Sequence, residues 1–291
     1  MRFAYFPGCA SRTTATEYDA STRALCQRLG IELVDMEDAS CCGLSITESV
    51  SHDLWVSLLA RNLSLAEQKG LDLISTCSIC SLNLSKAEDR LRGDPETRSR
   101  VNDILSKFGL KYTGEAKVRH LIDVIVHDIG FDALKEKMVR PLNGLKAAPF
   151  YGCQLIRPPE ITRFDNPERP HLFDDLINAV GAESVDYVYK TKCCGGVLYL
   201  IDVELAQSLA KECLLDAKYS GADCMVTACP ICHYMLDAHQ LNIEKNNATR
   251  IDLPVLHFTQ LLGLALGISP DDLKLTQNCV ATEGILRSLG Y

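Results

Sequence analysis

Five cysteines recur in the same order in the two halves of the chain, and this repeat constrains the fold more than any other feature. Each half has a single cysteine, an adjacent pair and a C-x-x-C pair, and 34 residues separate the two pairs in both halves. The first cysteine set is Cys9, Cys41, Cys42, Cys77 and Cys80, and the second is Cys153, Cys193, Cys194, Cys229 and Cys232. Chance agreement at five chosen positions has a probability on the order of 10⁻⁶ per alignment, so the repeat predicts a duplicated cluster-binding unit.

Length and composition predict a soluble protein of two domains. A chain of 291 residues can hold one large domain or two ordinary ones, and the duplication favours two, at residues 1–142 and 143–291. The net charge of −8 and the lack of a basic run predict no nucleic-acid partner. The apolar stretches at residues 1–9 and 255–268 are too short for a signal peptide and a membrane span, respectively. We therefore expect a cytoplasmic protein with no membrane span, whose reduced thiols serve metal binding or catalysis.

Alternating strand and helix patterns predict an α/β fold for each half. The predicted strands of the first half are residues 2–9, 31–35 and 71–76, and those of the second are 147–153, 185–189 and 224–228. The predicted helices are 18–29, 53–69, 171–180 and 203–219, with two more that begin at Val118 and Val255. Each cysteine group then lies in a loop after a strand of a short parallel sheet, where open α/β sheets place their sites.

Three kinds of site compete for five cysteines. A structural zinc site takes four ligands, commonly from two C-x-x-C-like pairs, and each half has only one. A cubane [4Fe–4S] cluster typically uses a compact C-x-x-C-x-x-C run, which this chain lacks. A redox-active C-x-x-C leaves the constant spacing to the adjacent cysteines unexplained. Five converging thiolates exceed the needs of an ordinary cubane, so either one is a spare or one bridges two irons.

Both cysteine sets resemble those of the CCG domains in HdrB, a subunit family of the heterodisulfide reductases, and the resemblance covers nearly the whole chain. It includes Tyr151-Gly152-Cys153, Asn166-Pro167-Glu168-Arg169-Pro170, and Val255-Leu256-His257 with Gln260-Leu261-Leu262-Gly263-Leu264-Ala265. The resemblance implies two homologous α/β CCG domains related by internal duplication. It also implies that each cysteine set holds one noncubane [4Fe–4S] cluster, with one cysteine bridging irons.

The resemblance further implies an oxidoreductase acting on sulfur groups, as the iron–sulfur catalytic subunit of a complex. Its reaction is the two-electron reduction or formation of a disulfide, of the CoM-S-S-CoB type or with another thiol or lipoyl-bound sulfur. A duplicated fold can place two one-electron clusters on either side of one S–S bond, which is our hypothesis for the mechanism. The chain lacks a dinucleotide-binding fingerprint, so we expect an HdrC-like iron–sulfur subunit and, through it, an HdrA-like flavoprotein as partners.

Residues next to the cysteines depart from the methanogen members of the family. The loop after Cys194 reads Gly195-Gly196-Val197-Leu198-Tyr199 without a longer glycine-rich stretch, and Gln154 replaces a histidine after Cys153. The cysteines themselves are intact. The departures therefore leave cluster binding in place and favour a related branch that uses another small-molecule or protein-bound disulfide.

Three histidines are candidate proton donors to a leaving thiolate. His233 follows Cys232 directly, and His257 and His120 lie at equivalent strand-to-helix corners. Histidine titrates near neutral pH, which suits proton transfer, but a corner histidine bonded to backbone is the more common structural role. The basic residues Arg157, Arg163, Lys190 and Lys192 are either attractors of an anionic substrate or, more commonly, solvated surface charges.

Two alternatives to a disulfide-handling enzyme remain open from the sequence. Paired CCG domains also occur in iron–sulfur subunits of lactate or glycolate oxidation and of succinate:quinone reductases, where they transfer electrons or bind a partner. Zinc in place of one cluster would give a metal-stabilised scaffold. The remaining four cysteines are predicted to be small buried residues at Cys26, Cys213 and Cys224 and an isolated thiol at Cys279.

Overall fold

Two four-stranded parallel sheets of the same topology form the framework of the protein. The computed structural model describes residues 1–291. The strand order is β2-β1-β3-β4 in the first sheet and β6-β5-β7-β8 in the second, and every neighbouring pair of strands is parallel. The strands are β1 Arg2–Phe6, β2 Glu32–Asp35, β3 Leu73–Ser75, β4 Val118–His120, β5 Lys146–Phe150, β6 Glu183–Ser184, β7 Cys224–Thr227 and β8 Val255–His257. The duplicated α/β fold predicted from the sequence is confirmed.

Helices connect the strands and cover both sheets. Those of the first half are α1 Gly8–Thr13, α2 Thr16–Leu29, α3 Ile46–Val50, α4 His52–Gln68, α5 Ser78–Gly93, α6 Pro95–Ser106, α7 Leu121–Val124 and α8 Phe131–Lys137. Those of the second half are α9 Pro159–Thr162, α10 Leu172–Ala179, α11 Val203–Tyr219, α12 Pro230–Leu236, α13 Gln240–Asn247, α14 Phe258–Ala265 and α15 Glu283–Ser288. A π-helical turn, Ile125–Ile129, continues α7.

Several predicted elements differ from the structure; the predicted strand 2–9 ends at Phe6, and Gly8 and Cys9 lie in α1. The segments from Val118 and from Val255 do not begin as helices, because their first three residues pair with β3 and β7 as the edge strands β4 and β8. The predicted strand 185–189 is also wrong, since the strand is Glu183–Ser184 and a 3₁₀ turn, Val188–Thr191, follows it. The backbone N–H of Tyr189 donates to the Asp216 carboxylate instead of to a neighbouring strand.

The long helices α4 and α11 show how closely the two halves correspond. Each has 17 residues and follows a loop that carries the adjacent cysteines. Ser51 and Asp202 cap their first turns by accepting from the backbone N–H groups of Leu54 and Leu205. Such a cap satisfies a helix N–H that has no intrahelical partner. The same local device therefore starts the same helix in both halves.

One hydrophobic core includes side chains from both halves. Tyr5, Tyr18 and Leu121 of the first half belong to the same buried cluster as Leu256 and Phe258 of the second. Each sheet also packs one smaller hydrophobic cluster, the first with 23 buried residues and the second with 17. Because the halves share their largest core, they hold the two cysteine sets in a fixed mutual position. None of the helices combines the length and the apolar character needed to span a bilayer.

Candidate metal centre

The two cysteine sets lie at the carboxyl ends of the parallel strands. Cys77 and Cys229 follow β3 and β7 and precede the first residues of α5 and α12, where their extended backbone makes them the N-cap residues. Cys9 lies in the first turn of α1, shortly after β1. The adjacent cysteines lie in loops between β2 and α3 and before α11. This is the edge at which open α/β sheets bind their ligands.

Within each set the sulfur atoms converge. The Cys41 Sγ lies 3.8 Å from the Cys9 Sγ, and the Cys42 Sγ lies 3.3 Å from the Cys80 Sγ. In the second set the equivalent thiols, Cys153 with Cys193 and Cys194 with Cys232, lie close enough to shift each other's pKa. All fourteen cysteines are free thiols. The structure therefore assembles two matching sulfur-lined sites rather than disulfides.

The two sites meet at one pair of equivalent cysteines. The Cys77 Sγ and the Cys229 Sγ are 3.9 Å apart, and both residues are buried. Next to them the Ser78 hydroxyl donates to the carbonyl of Ala228 at 3.1 Å. The two sulfur sites are therefore immediate neighbours.

Crowding forces the thiols of each set to ionise unequally. Hydrogen bonding with Cys42 and then with Cys9 lowers the pKa of Cys41 to about 2, and hydrogen bonding with Cys153 and then with Cys194 lowers the pKa of Cys193 to about 2. The same contact with Cys41 raises the pKa of Cys42 to about 11. Sulfurs this close cannot all be thiolates unless a positive group lies between them. Because thiolates are soft ligands, the donor set fits an iron–sulfur cluster or zinc.

Glycines allow the backbone to approach these sulfurs closely. A Cβ on Gly8 would lie 3.1 Å from the Cys80 Sγ, and one on Gly152 would lie 3.4 Å from the Cys232 Sγ. Both glycines have positive φ, 79° and 63°. The backbone N–H groups of Gly43 and Gly195 donate to the Cys41 Sγ and the Cys193 Sγ at 3.4 Å and 3.3 Å. Such N–H···S contacts stabilise ionised sulfur and are common tuning elements of iron–sulfur sites.

Replacing Gly195 with alanine is expected to displace the loop that carries Cys193 and Cys194. The residue has a φ of 81°, and its new Cβ would lie 2.5 Å from the carbonyl oxygen of Ala206. The strained backbone and the clash should cost at least about 2 kcal/mol of unfolding free energy. The anaerobically purified variant should show a lower Tm and less bound iron. Gly221→Ala is the matched control, because Gly221 also has positive φ but a Cβ there meets no atom within 4 Å; equal iron losses in both variants would contradict this prediction.

The structure brings two of the predicted histidines together and separates them from the third. His233 and His257 stack with ring centroids 3.8 Å apart, and the Glu17 Oε1 lies 4.0 Å from the His233 Nδ1 and 3.2 Å from the His257 Nε2. All three side chains are almost completely buried. Desolvation raises the pKa of Glu17, and burial with the neighbouring His233 lowers the pKa of His257. Their contacts join α2 of one half to α12 and β8 of the other.

His120 bonds to the backbone on both sides of its ring. Its Nδ1 accepts from the backbone N–H of Ile122, so its Nε2 carries the proton that is donated to the Ala228 carbonyl at 3.0 Å. Burial lowers the pKa of His120 to about 4. These contacts position the backbone immediately before Cys229. The predicted proton-transfer role of His233, His257 and His120 stays a prediction.

His120 should make folding less favourable in acid. With a pKa lowered from 6.5 to about 4, the folded state resists a proton that the unfolded state accepts, so this contribution to stability is lost as pH falls from 6.5 towards 4. Between pH 7.5 and 5.5 the loss should be about 1 kcal/mol. Denaturant unfolding at both pH values should show it in the wild type and a smaller change in His120→Asn, which retains a capping side chain but cannot titrate. An unchanged pH dependence in the variant would refute this.

The four other cysteines and the basic residues near the second set lie outside the sulfur sites. Cys26, Cys213 and Cys224 are buried, as predicted, and Cys279 is a free thiol on the surface. Lys190 forms ion pairs with Asp174 and Asp186, and the Arg157 guanidinium donates to the carbonyls of Thr191 and Pro167, so both are occupied by structural contacts. Arg163 has no acidic partner within 4 Å.

Asn83 contacts the loop of the first adjacent cysteines, and no sequence pattern predicted this contact. Its Nδ2 donates to the carbonyl of Leu44 at 2.9 Å and lies 3.8 Å from the Cys42 Sγ, while its Oδ1 accepts from the Trp55 indole N–H. It therefore fixes the loop after the first adjacent cysteines. A single buried asparagine inside a helix has no sequence signature, so no pattern pointed to it.

Comparisons with known proteins agree with this geometry. The family model described as CCG, cysteine-rich domain, matches residues 3–85 and 147–237. The chain is 37% identical to the HdrB subunit of the ferredoxin/F(420)H(2)-dependent CoB-CoM heterodisulfide reductase of Methanosarcina acetivorans, over 96% of this chain and 94% of that protein. It is 34% identical to the HdrB-like protein of Archaeoglobus profundus, over 96% and 95%. The resemblance noted from the cysteine sets is thereby confirmed.

Two further relatives extend the comparison. The chain is 36% identical to the "8-methylmenaquinol:fumarate reductase membrane anchor subunit" of Wolinella succinogenes, over 96% of each protein. A crystal structure of a hypothetical protein from Helicobacter pylori has the same fold, with a TM-score of 0.78 and 18% identity. That match covers 96% of this chain and 52% of the other. The chain is thus similar in sequence to subunits named for two different enzymes.

Proposed function

The chain belongs to the HdrB family of heterodisulfide reductase subunits, which are CCG-domain proteins, and on that premise we propose that it is the disulfide-handling iron–sulfur subunit of an oxidoreductase complex. Its reaction joins one disulfide, two electrons and two protons to give two thiols, or runs in reverse. The observation that carries the proposal is the pair of matching five-cysteine sites that meet at Cys77 and Cys229, 3.9 Å apart. Two sites so close suit a reaction that moves two electrons to one S–S bond.

The ten cysteines would hold two noncubane [4Fe–4S] clusters, one per set. Such clusters, when bound, supply one-electron steps and iron atoms with affinity for sulfur. The chain itself holds the ten sulfurs in place through the helix N-caps at Cys77 and Cys229 and the glycine-spaced loops. Electrons would come from or go to a separate HdrC-like iron–sulfur subunit and, through it, an HdrA-like flavoprotein. A cytoplasmic location is part of this proposal.

The proposal is tested with anaerobically purified protein. Iron and acid-labile sulfide should be present in equal amounts and in excess of zinc, and the EPR spectrum of the oxidised protein should change when a thiol is added. With reduced methyl viologen as electron donor, the protein should cleave a small disulfide. A colourless preparation with at most one metal atom per half would overturn the assignment, and excess zinc would support the metal-stabilised scaffold.

A second candidate function is electron transfer without sulfur chemistry. The 36% identity to a fumarate reductase subunit favours it, because that relative covers the chain as fully as the heterodisulfide reductase subunits do. In this case the clusters would pass electrons to a partner. CCG subunits of lactate or glycolate oxidation and of succinate:quinone reduction, the alternative left open by the sequence, have this role. The discriminating observation is the EPR response. Clusters that only transfer electrons keep the same spectrum when thiols are added.

A further inference from the structure

The helices that follow the C-x-x-C pairs, α5 and α12, differ at a buried position next to the sulfur sites. Asn83 lies three residues after Cys80, and Met235 lies three residues after Cys232. Both residues are buried, with exposed fractions of 4% and 0%. The duplication therefore places an amide in the first half where the second half has a thioether.

The orientation of the Asn83 amide is determined by its partners. The Trp55 indole N–H, which can only donate, lies 3.4 Å from the Asn83 Oδ1. The Nδ2 therefore faces the other side, where the Leu44 carbonyl oxygen is 2.9 Å away and the Cys42 Sγ is 3.8 Å away. One N–H of the amide donates to this carbonyl, and the other has the Cys42 sulfur as its acceptor.

The contact between Asn83 and Cys42 suits a sulfur that ligates a metal. A buried N–H without an acceptor is rare, because it has lost its hydrogen bonds to water. A neutral thiol is a weak acceptor, whereas a sulfur that carries negative charge accepts more strongly. The amide is therefore best satisfied when Cys42 is held as a thiolate in an occupied site.

Backbone donors are matched in the two sites and do not distinguish them. The N–H groups of Gly43 and Gly195 donate to the first sulfur of each adjacent pair at 3.4 Å and 3.3 Å. The N–H of Gly196 donates to the second sulfur of its pair at 3.4 Å, and the equivalent N–H of Leu44 likewise favours the thiolate. The amide of Asn83 is thus an additional donor in the first site.

The equivalent space in the second site is apolar. Met235 belongs to the same hydrophobic cluster as Cys194, and a Cβ on Gly196 would lie 3.4 Å from both the Met235 Cγ and the Cys194 Sγ. A thioether has no N–H to donate. The sulfurs of the second set accept hydrogen bonds from backbone N–H groups and from no side-chain nitrogen. Met235 therefore lies beside the second site without contributing a donor.

We propose that Asn83 is a positioning residue that makes the two clusters inequivalent: its amide donates to the Cys42 sulfur and raises the reduction potential of the first cluster, whereas Met235 gives the second cluster no such donor. Reduction adds negative charge to the ligand sulfurs, so a donor to sulfur stabilises the reduced form more than the oxidised form. The inference rests on the proposed function, because it requires clusters in both cysteine sets. The chain itself then contributes to the order in which the two sites exchange electrons.

Removing the donor from one site and adding it to the other tests the proposal. Redox titration of the anaerobic holoprotein, followed by EPR, measures the oxidised-to-reduced ratio of each cluster and requires no turnover. At a fixed potential, Asn83→Leu should raise this ratio about threefold to tenfold for one cluster, tenfold being 59 mV for one electron. Met235→Asn should lower the ratio for the other cluster. Unchanged potentials in both variants would overturn the proposal.

Asn62→Leu is the matched control for a displaced loop. Asn62 is completely buried in α4, and its amide binds the backbone of Ser40, the residue before Cys41, but contacts no sulfur. This variant should keep the wild-type potentials. A shift in Asn62→Leu equal to that in Asn83→Leu would mean that the position of the loop, and not the N–H···S contact, sets the potential, and the proposal would be wrong.

Potential and turnover together separate failure of this inference from failure of the proposed function. If Asn83→Leu shifts one cluster but the wild type cleaves no disulfide, the role of Asn83 stands and the reaction is wrong. If the wild type cleaves a disulfide and neither variant changes a potential, the reaction stands and Asn83 is only a loop contact. If Asn83→Leu loses iron, Met235→Asn decides, because it leaves every contact of Asn83 intact.

Discussion

Replacing Cys194 with serine is expected to abolish disulfide turnover. Cys194 is buried, the neighbouring thiol of Cys193 raises its pKa, and it belongs to the second cysteine set. A serine hydroxyl is a hard, weakly acidic ligand that does not replace a thiolate at iron. The loss should exceed the roughly 10- to 100-fold effect of removing a hydrogen bond to a metal ligand. The loss of turnover is measured as viologen-linked disulfide reduction, and the damage to the second site is measured as iron content. Both measurements are anaerobic.

The iron content makes this experiment more specific than a loss of activity alone. Because the second set alone is damaged, the variant should keep roughly half of the wild-type iron. Cys26→Ser is the matched control: Cys26 is equally buried, in α2, but belongs to neither set, and it should retain iron and turnover. Full turnover by Cys194→Ser would refute a reaction at the two clusters. Complete loss of iron would instead show that the two sites form interdependently.

The sequence predicted which cysteines converge better than it predicted the edges of the sheets. The constant 34-residue interval located both cysteine sets, and the structure brings the sulfurs of each set together. The edge strands β4 and β8 were missed because three residues are too few for an alternating pattern to emerge. Their final residues, His120 and His257, are the N-cap residues of the following helices α7 and α14, so the helical pattern adjoins them directly. Tyr187, predicted in a strand, lies outside any strand, and its hydroxyl donates to the Pro149 carbonyl.

The two halves differ at one corner that the duplication would make equivalent. Ser81 and His233 could be aligned from the sequence, but the consequence of that difference depends on where the C-terminal segment packs. Asn278 reaches Val255, and the backbone of Cys279 donates to Asp237. These are contacts over twenty or more positions that no local pattern encodes. The repeat therefore predicts the structure that the two halves share. The differences between them depend on tertiary contacts that no local pattern encodes.

Replacing Phe258 with alanine is expected to destabilise both halves together. Phe258 is fully buried at the start of α14, and its ring lies 6.2 Å from that of Tyr18 and 6.3 Å from that of His120, both in the first half. Truncating a buried phenylalanine typically costs about 3–5 kcal/mol through lost burial and an unfilled cavity. Because the two halves share this core, denaturant unfolding should remain a single transition at a lower midpoint with an unchanged slope.

The matched control is Phe108→Ala, because Phe108 is a 70% exposed phenylalanine of the first half. It should change the unfolding free energy by less than about 0.5 kcal/mol. Two separate transitions in Phe258→Ala, with one half still holding iron after the other has unfolded, would mean that the halves are independent domains. A single transition would instead tie the stability of each sulfur site to the whole chain. That coupling is what a reaction between two neighbouring sites needs, since Cys77 and Cys229 keep their 3.9 Å separation only while the shared core is intact.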